Sequence, residues 1–345
     1  MTTGDVPGGD FEASADGSDG YDPTVPPPSP GVYDLGDVTR LDVSFPSDGF
    51  RLAGDLYLPP TPGGGRRAGV VLDAPMMSIK EFSVPVYAIR LARAGYTVLT
   101  FDRRCWGASE GPVPHQHMSP PDNVRDIRNA TTYLLSRDDI DPQRVAGVGV
   151  CAGGGFMLHA GALDRRYRVL ACIGAFYGAR PAIRDSLGHG GWVEHMRGLQ
   201  EGRLADFSAG QTLAYQAAAP SSAPEGTALA VGDEPYDFYT SRHEQVAPDA
   251  HWVNELTQES MQNIAEYDAT GYAPLVAPTP LLVVHGTIDP FVPPRYTEQV
   301  YATAGEPKSM VWIETTNHIQ IYDVEPYVGQ ATTALIDWLA DHMPA

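Results

Sequence analysis

The chain reads as an α/β protein: a mostly parallel sheet flanked by helices, with an inserted cap. Three observations predict this. From Gly69 onward, short apolar runs alternate with stretches of helical periodicity. One such run, 144–150, stops at Gly149-Val150-Cys151-Ala152-Gly153 and turns into a helix. Residues 177–279 then separate this unit from the next apolar strand, a gap too long for a plain crossover connection.

Residues 1–31 hold six acids and no Lys or Arg, and end in Pro26-Pro27-Pro28-Ser29-Pro30-Gly31. They read as a disordered, solvated acidic tail. Residues 38–45 and 50–58 alternate apolar and polar around Ser47-Asp48-Gly49, the pattern of a β-hairpin, and 59–65 is a turn-rich connector. Strands are expected at 69–72, 96–101, 144–150, 169–176, 281–285 and 310–314. Helices are expected at 84–94, 124–135, 154–163 and about 329–342. The core is therefore 32–176 with 280–345. The 177–279 insertion is rich in aromatic residues, with helical patches at 193–201 and 254–263 and a Pro/Ala/Ser-rich stretch near 217–226. It reads as a cap over the sheet edge, the other reading being a separate small domain.

Composition narrows the partners. The 345 residues are 43% hydrophobic and carry a formal charge of -20, which repels nucleic acid and anionic membranes. Three cysteines, Cys105, Cys151 and Cys172, are too few and too odd for a disulfide framework and suit a reducing compartment. With no basic leader and no run of about 20 apolar residues, a cytoplasmic protein is expected. The oligomeric state leaves no mark in the sequence.

Gly-x-Cys-x-Gly at a strand–helix turn is a nucleophile-elbow pattern with sulfur in place of the serine oxygen. A buried core thiol or a phosphate-binding turn are the other uses of such a segment, but no Gly-x-Gly-x-x-Gly or Gly-Lys-Ser/Thr is complete here. A thiol nucleophile needs a base, and the base needs an orienting acid. Asp289 follows the 281–285 strand and His318 follows the 310–314 strand, in the chain order nucleophile, acid, histidine. Oxyanion donors are expected from the Ala152 N–H and from the loop Asp73-Ala74-Pro75-Met76-Met77. Pro75 has no N–H, so Met76 or Met77 supplies the second donor, with Met76 preferred. The Met77 side chain either walls a substrate pocket or packs in the core.

These residues resemble the α/β-hydrolases of the dienelactone hydrolase-like group, and more closely uncharacterised bacterial hydrolases with a Gly-x-Cys-Ala-Gly-Gly-Gly elbow. The resemblance spans about 40–340. It includes Leu52-Ala53-Gly54-Asp55-Leu56-Tyr57-Leu58-Pro59, Lys80-Glu81, Phe101-Asp102-Arg103-Arg104, His285-Gly286, and His318 with Tyr322-Asp323. It implies an α/β-hydrolase fold and an acyl-transfer triad of Cys151, His318 and Asp289, with no cofactor. Two departures fall on the rim: Cys105-Trp106-Gly107 where Gly-x-Gly is usual, and Asp73-Ala74-Pro75 where a His and small residues are common. Trp106, with Trp192 and Tyr239 from the cap, is accordingly a candidate substrate contact. Glu81 is either an analogue of the glutamate that steadies the resting thiol in dienelactone hydrolase or a salt-bridge partner of Lys80. His115-x-His117 has metal-like spacing but no companion ligand nearby in sequence, so no metal is expected. His285 reads as a structural strand-end residue and Cys172 as an inert core thiol.

The expected chemistry is two-step acyl transfer on a small-molecule ester, lactone or thioester. Sulfur leaves more readily than an alkoxide, which disfavours amides. An acyl transferase or cyclase using the same acyl-cysteine and a non-catalytic binding protein on this scaffold are the rival functions.

Overall fold

The computed structural model describes residues 26–61, 65–211, 213–222 and 232–345. Of the expected acidic tail, 1–25 lie outside the described residues, as do 223–226 of the Pro/Ala/Ser-rich stretch. The rest of the tail segment is attached to the body. Ser29 N–H donates to the Asp323 carbonyl at 3.2 Å, and the Pro26 carbonyl accepts from Arg242 Nη2 at 3.0 Å.

Among the described residues, eight strands make one sheet. They are β1 (Thr39–Ser47), β2 (Phe50–Leu58), β3 (Arg67–Asp73), β4 (Thr97–Phe101), β5 (Ile140–Val150), β6 (Val169–Ile173), β9 (Leu281–Gly286) and β10 (Lys308–Ile313). A separate two-stranded ribbon joins β7 (Tyr215–Ala217) and β8 (Glu255–Thr257) in the insertion. The sheet order is β1-β2-β4-β3-β5-β6-β9-β10. β1–β2 and β2–β4 are antiparallel, and every other pair is parallel.

The burial of each strand follows from its position. β4 and β6 are buried at every residue, because helices cover both faces and leave no polar side. β1, at the edge, is mostly exposed. Helix α1 (Val84–Arg93) packs with α9 (Tyr327–His342), and α2 (Pro120–Leu135) packs with α3 (Ala152–Leu163), forming the two covering layers. Short helices α7 (Pro294–Thr303) and α8 (Gln320–Asp323) complete the C-terminal part. α1 is amphipathic and begins with Pro85 in its first turn, where the missing N–H costs nothing.

The insertion between β6 and β9 carries α4 (Ala179–Ser208), broken at Gly188, then α5 (Asp233–Val246) and α6 (Gln258–Glu266). Its last turn, the 3-10 helix Thr270–Leu275, packs on α3. The periodicity at 193–201 and 254–263 thus marks parts of α4 and α6, with 255–257 taken by β8. α5 has no counterpart among the expected helices.

The turn from β5 into α3 is set by close backbone approach. A Cβ on Gly149 would collide with the Gly153 carbonyl, and one on Gly153 would lie 2.5 Å from the Asp73 carbonyl oxygen. Both obstacles are main chain and cannot swing aside. Gly149→Ala should therefore cost about 3 kcal/mol, read by urea unfolding. Gly190→Ala, on α4 with nothing within 4 Å of the added Cβ, should leave stability unchanged or raise it by up to about 1 kcal/mol.

Candidate active site

Cys151 sits between β5 and α3 with φ 53° and ψ -120°. A non-glycine residue held there stores about 1–3 kcal/mol of strain and needs a surround that enforces it. The surround is a set of main-chain bonds. Cys151 N–H donates to the Ile173 carbonyl at 2.9 Å, and its own carbonyl accepts from Gly154 and Phe176 N–H, each at 2.9 Å. The strain lifts the thiol off the sheet at the N-terminus of α3, where the helix dipole favours an anion.

The ends of β9 and β10 bring two more groups to this point. Asp289 Oδ1 accepts the N–H groups of Phe291 (3.0 Å) and Val292 (2.8 Å), which fixes the carboxylate. Its Oδ2 lies 2.5 Å from His318 Nδ1. Nδ1 therefore carries a proton, and Nε2 faces the other way, toward the Cys151 sulfur and the Tyr322 hydroxyl at 2.7 Å. All four side chains are buried.

Electrostatics in this cluster favour charge separation. Burial alone would raise the Cys151 thiol, but His318, the Tyr322 hydroxyl and the Met76 backbone N–H together hold it below the usual thiol value. Burial would likewise lower His318, and it is overcome by Asp289 and Cys151, which hold the imidazole well above its ordinary value. Asp289 is kept below the usual carboxylate range, since His318 outweighs the burial that opposes ionisation. The geometry suits a thiolate–imidazolium pair.

Met76 and Met77 sit in the loop after β3, and that loop is pinned from below. Arg103 makes a two-armed ion pair with Asp73, Nε to Oδ1 at 3.0 Å and Nη2 to Oδ2 at 2.9 Å. It also donates to the Pro75 carbonyl at 3.1 Å and to the Ala74 carbonyl, and its guanidinium lies over the Phe156 ring at 5.2 Å. Arg103 and Asp73 are both buried. The Asp73-Ala74-Pro75 departure noted in the sequence is thus the acceptor half of a clamp. Ala152 opens α3 with its N–H at the helix start.

From above, α5 closes the site. Tyr239 donates its hydroxyl to the Met76 carbonyl, and Trp252, stacked 5.9 Å from Tyr239, donates its indole N–H to the Met77 carbonyl at 2.9 Å. Arg242 pairs with Asp323 through Nε (2.8 Å) and Nη2 (2.7 Å). Glu234 accepts the backbone N–H groups of His318 and Ile319 at 3.1 and 3.2 Å.

Several candidate contacts take other roles. Tyr239 is committed to the Met76 carbonyl, so it holds the loop instead of offering its hydroxyl to a ligand. Met77 is buried with φ 59° and packs in the core. Trp106 is buried and donates its indole N–H to the His117 carbonyl at 2.9 Å, bracing its own loop. Trp192 lies half-buried on α4, stacked beside His189 and under the Arg184 guanidinium. Glu81 pairs with Lys80, itself 3.5 Å from Asp55. His285 is buried, with Nε2 on the Val292 carbonyl at 2.9 Å and Nδ1 facing Thr297 Oγ1 at 3.1 Å. Burial pushes the Cys172 thiol up to about 12. His115 does have a companion, Glu255 at 3.1 Å, and His117 meets Thr257. No group of three or more His, Cys, Asp or Glu among the described residues is placed to hold a metal ion. No helix among them is long and apolar enough to cross a membrane.

Two contributors were not assigned from the sequence. Tyr322 lies four residues after His318, where one helical turn returns its ring to the imidazole. Glu234 left no signal, because its partners lie 84 and 85 residues away.

Comparison with known proteins agrees with this architecture. The Pseudomonas aeruginosa protein PA2218, itself uncharacterised, is 28% identical over 279 residues, covering 80% of this chain and 73% of that one. Its crystal structure superposes with a TM-score of 0.76 at 26% identity, over 89% of this chain and 94% of that one. The thiohydrolase aneE of Aspergillus aculeatus is 26% identical over 289 residues, 81% of this chain and 86% of its own. The polyketide transferase ATR5 of Stachybotrys chlorohalonatus is 25% identical over 283 residues, 82% of this chain and 91% of its own. The model of the family described as Serine aminopeptidase, S33 matches residues 86–325. With that match and this sheet, the chain belongs to that family within the α/β-hydrolase superfamily.

Proposed function

We propose that this protein is an acyl hydrolase that cleaves an ester, lactone or thioester through an acyl-Cys151 intermediate. The carrying observation is the hydrogen-bonded chain Asp289–His318–Cys151 at a strained elbow. The Cys151 thiolate attacks the carbonyl carbon, and the oxyanion is held by the N–H groups of Met76 and Ala152. The Met76 N–H already points at the sulfur in the resting site. Collapse of the adduct breaks the bond to the leaving alcohol or thiol, which takes the proton from His318 Nε2. Water then gives a proton to His318 as it attacks the acyl carbon, and the Cys151 thiolate departs. Asp289 keeps the imidazole oriented throughout.

The Tyr322 hydroxyl touches both the sulfur and Nε2. In the ion-paired state it donates to the thiolate, supplementing the imidazolium. The names thiohydrolase and polyketide transferase carried by relatives favour thioester and polyketide-type acyl groups.

A second reading has the acyl-cysteine captured by a hydroxyl or amine, as in a transferase or cyclase. The closure of the site favours it: Cys151 is 8% and His318 5% exposed, which limits water.

Cys151→Ala should lower turnover of p-nitrophenyl acetate by about a thousandfold or more; full turnover by this variant would overturn the mechanism. Intact mass after brief exposure to an activated ester should show one acyl group on Cys151 in the wild type. If it persists in water but clears on adding an alcohol or amine, transfer is the function. The pH profile of iodoacetamide labelling at Cys151 should have its midpoint below that of an ordinary thiol, about 8.5. The sign follows from a lowered thiol and a raised imidazole: the ion pair persists between the two. Tyr322→Phe should slow that labelling about tenfold or more by removing one donor to the thiolate.

A further inference from the structure

The cap contributes a carboxylate whose local role is not purely mechanical. Glu234 lies in the first turn of α5 and is 1% exposed. Its Oε1 bridges two successive N–H groups, those of His318 and Ile319. Its Oε2 is buried with no hydrogen-bond partner. No Lys or Arg among the described residues forms an ion pair with it, so the charge is kept in a place where burial opposes it. The charged groups facing it are the His318 imidazole and, behind that, Asp289. A glutamine oxygen could accept the same two N–H groups. The charge is what a glutamine lacks.

We propose that Glu234 is a positioning residue for His318, fixing the imidazole's backbone and favouring its protonated form from the cap side. The proposal rests on the reading of Cys151 and His318 as a working pair. Three further contacts tie the same helix to the site. Phe238 meets the Tyr322 ring edge-on at 5.2 Å, Tyr239 holds the Met76 carbonyl, and Arg242 holds Asp323. The helix therefore reaches both loops that flank the sulfur, and Glu234 is its contact with the histidine loop. Burial raises the Glu234 carboxyl to about 6, with His318 pulling it down and Asp289 pushing it up. It is charged above that value and neutral below it. The support it lends His318 is thus present at neutral pH and lost as pH falls through about 6.

The test is an NMR titration of the His318 imidazole in the full-length protein, assigned by loss of its signal in His318→Asn. Glu234→Gln should move the titration to lower pH and slow iodoacetamide labelling of Cys151 about tenfold near neutral pH. Glu234→Asp keeps the charge, and its titration should stay near that of the wild type. An unchanged titration in Glu234→Gln would overturn the proposal. So would an equal shift in both variants, which would mean lost packing and not lost charge. The titration reads Glu234 whether or not Cys151 is the nucleophile. Turnover by Cys151→Ala decides that other question separately.

Discussion

The buried ion pair between Arg103 and Asp73 is the constraint on which the site depends. Two charges removed from water are costly, and attraction between them offsets this only with near-ideal geometry and further acceptors. Both conditions are met, with two arms on the carboxylate and two carbonyls of the same loop receiving the remaining N–H groups. The guanidinium also lies over Phe156 of α3. One side chain thus joins the end of β3, the loop after β4 and the elbow helix. A lysine could not form the planar two-armed contact. The main-chain squeeze of Gly153 against Asp73 works from the same anchor.

On this base the strain at Cys151 becomes tolerable. The elbow residue cannot relax, because its N–H and carbonyl are tied to β6 and to the segment after it. The Met76 N–H cannot turn away from the sulfur, because its loop is clamped from below by Arg103 and from above by Tyr239 and Trp252. Preorganised donors of this kind need no rearrangement when charge develops.

Much of this was legible in the sequence. The continuous apolar runs of β3, β4, β5 and β6 marked strands covered on both faces, and the order Cys151, Asp289, His318 at strand ends marked the cluster. What the sequence does not show is long-range. α5, residues 233–246, mixes Asp, Tyr, Thr, Ser and Arg without a strong apolar face, so its helical nature is decided by tertiary packing. Its working side chains, Glu234, Tyr239 and Arg242, find partners far along the chain. Tyr239 stands in an aromatic-rich insertion and Trp106 in the Cys105-Trp106-Gly107 departure, and neither context shows that their polar ends brace loops. The attachment of 26–31 was hidden for the same reason: a Pro-rich segment can be ordered by a few carbonyl contacts that its composition does not announce.

The way α5 grips the site has a consequence for how its two flanking loops are linked. Through Tyr239 the helix holds the Met76 carbonyl, through Glu234 the N–H groups of His318 and Ile319, and through Arg242 the Asp323 carboxylate. A displacement of α5 would release the three together, because one element carries all the contacts. The insertion is thus a single lever on both sides of the sulfur, and a substitution on α5 is felt at the Met76 loop and the His318 loop alike.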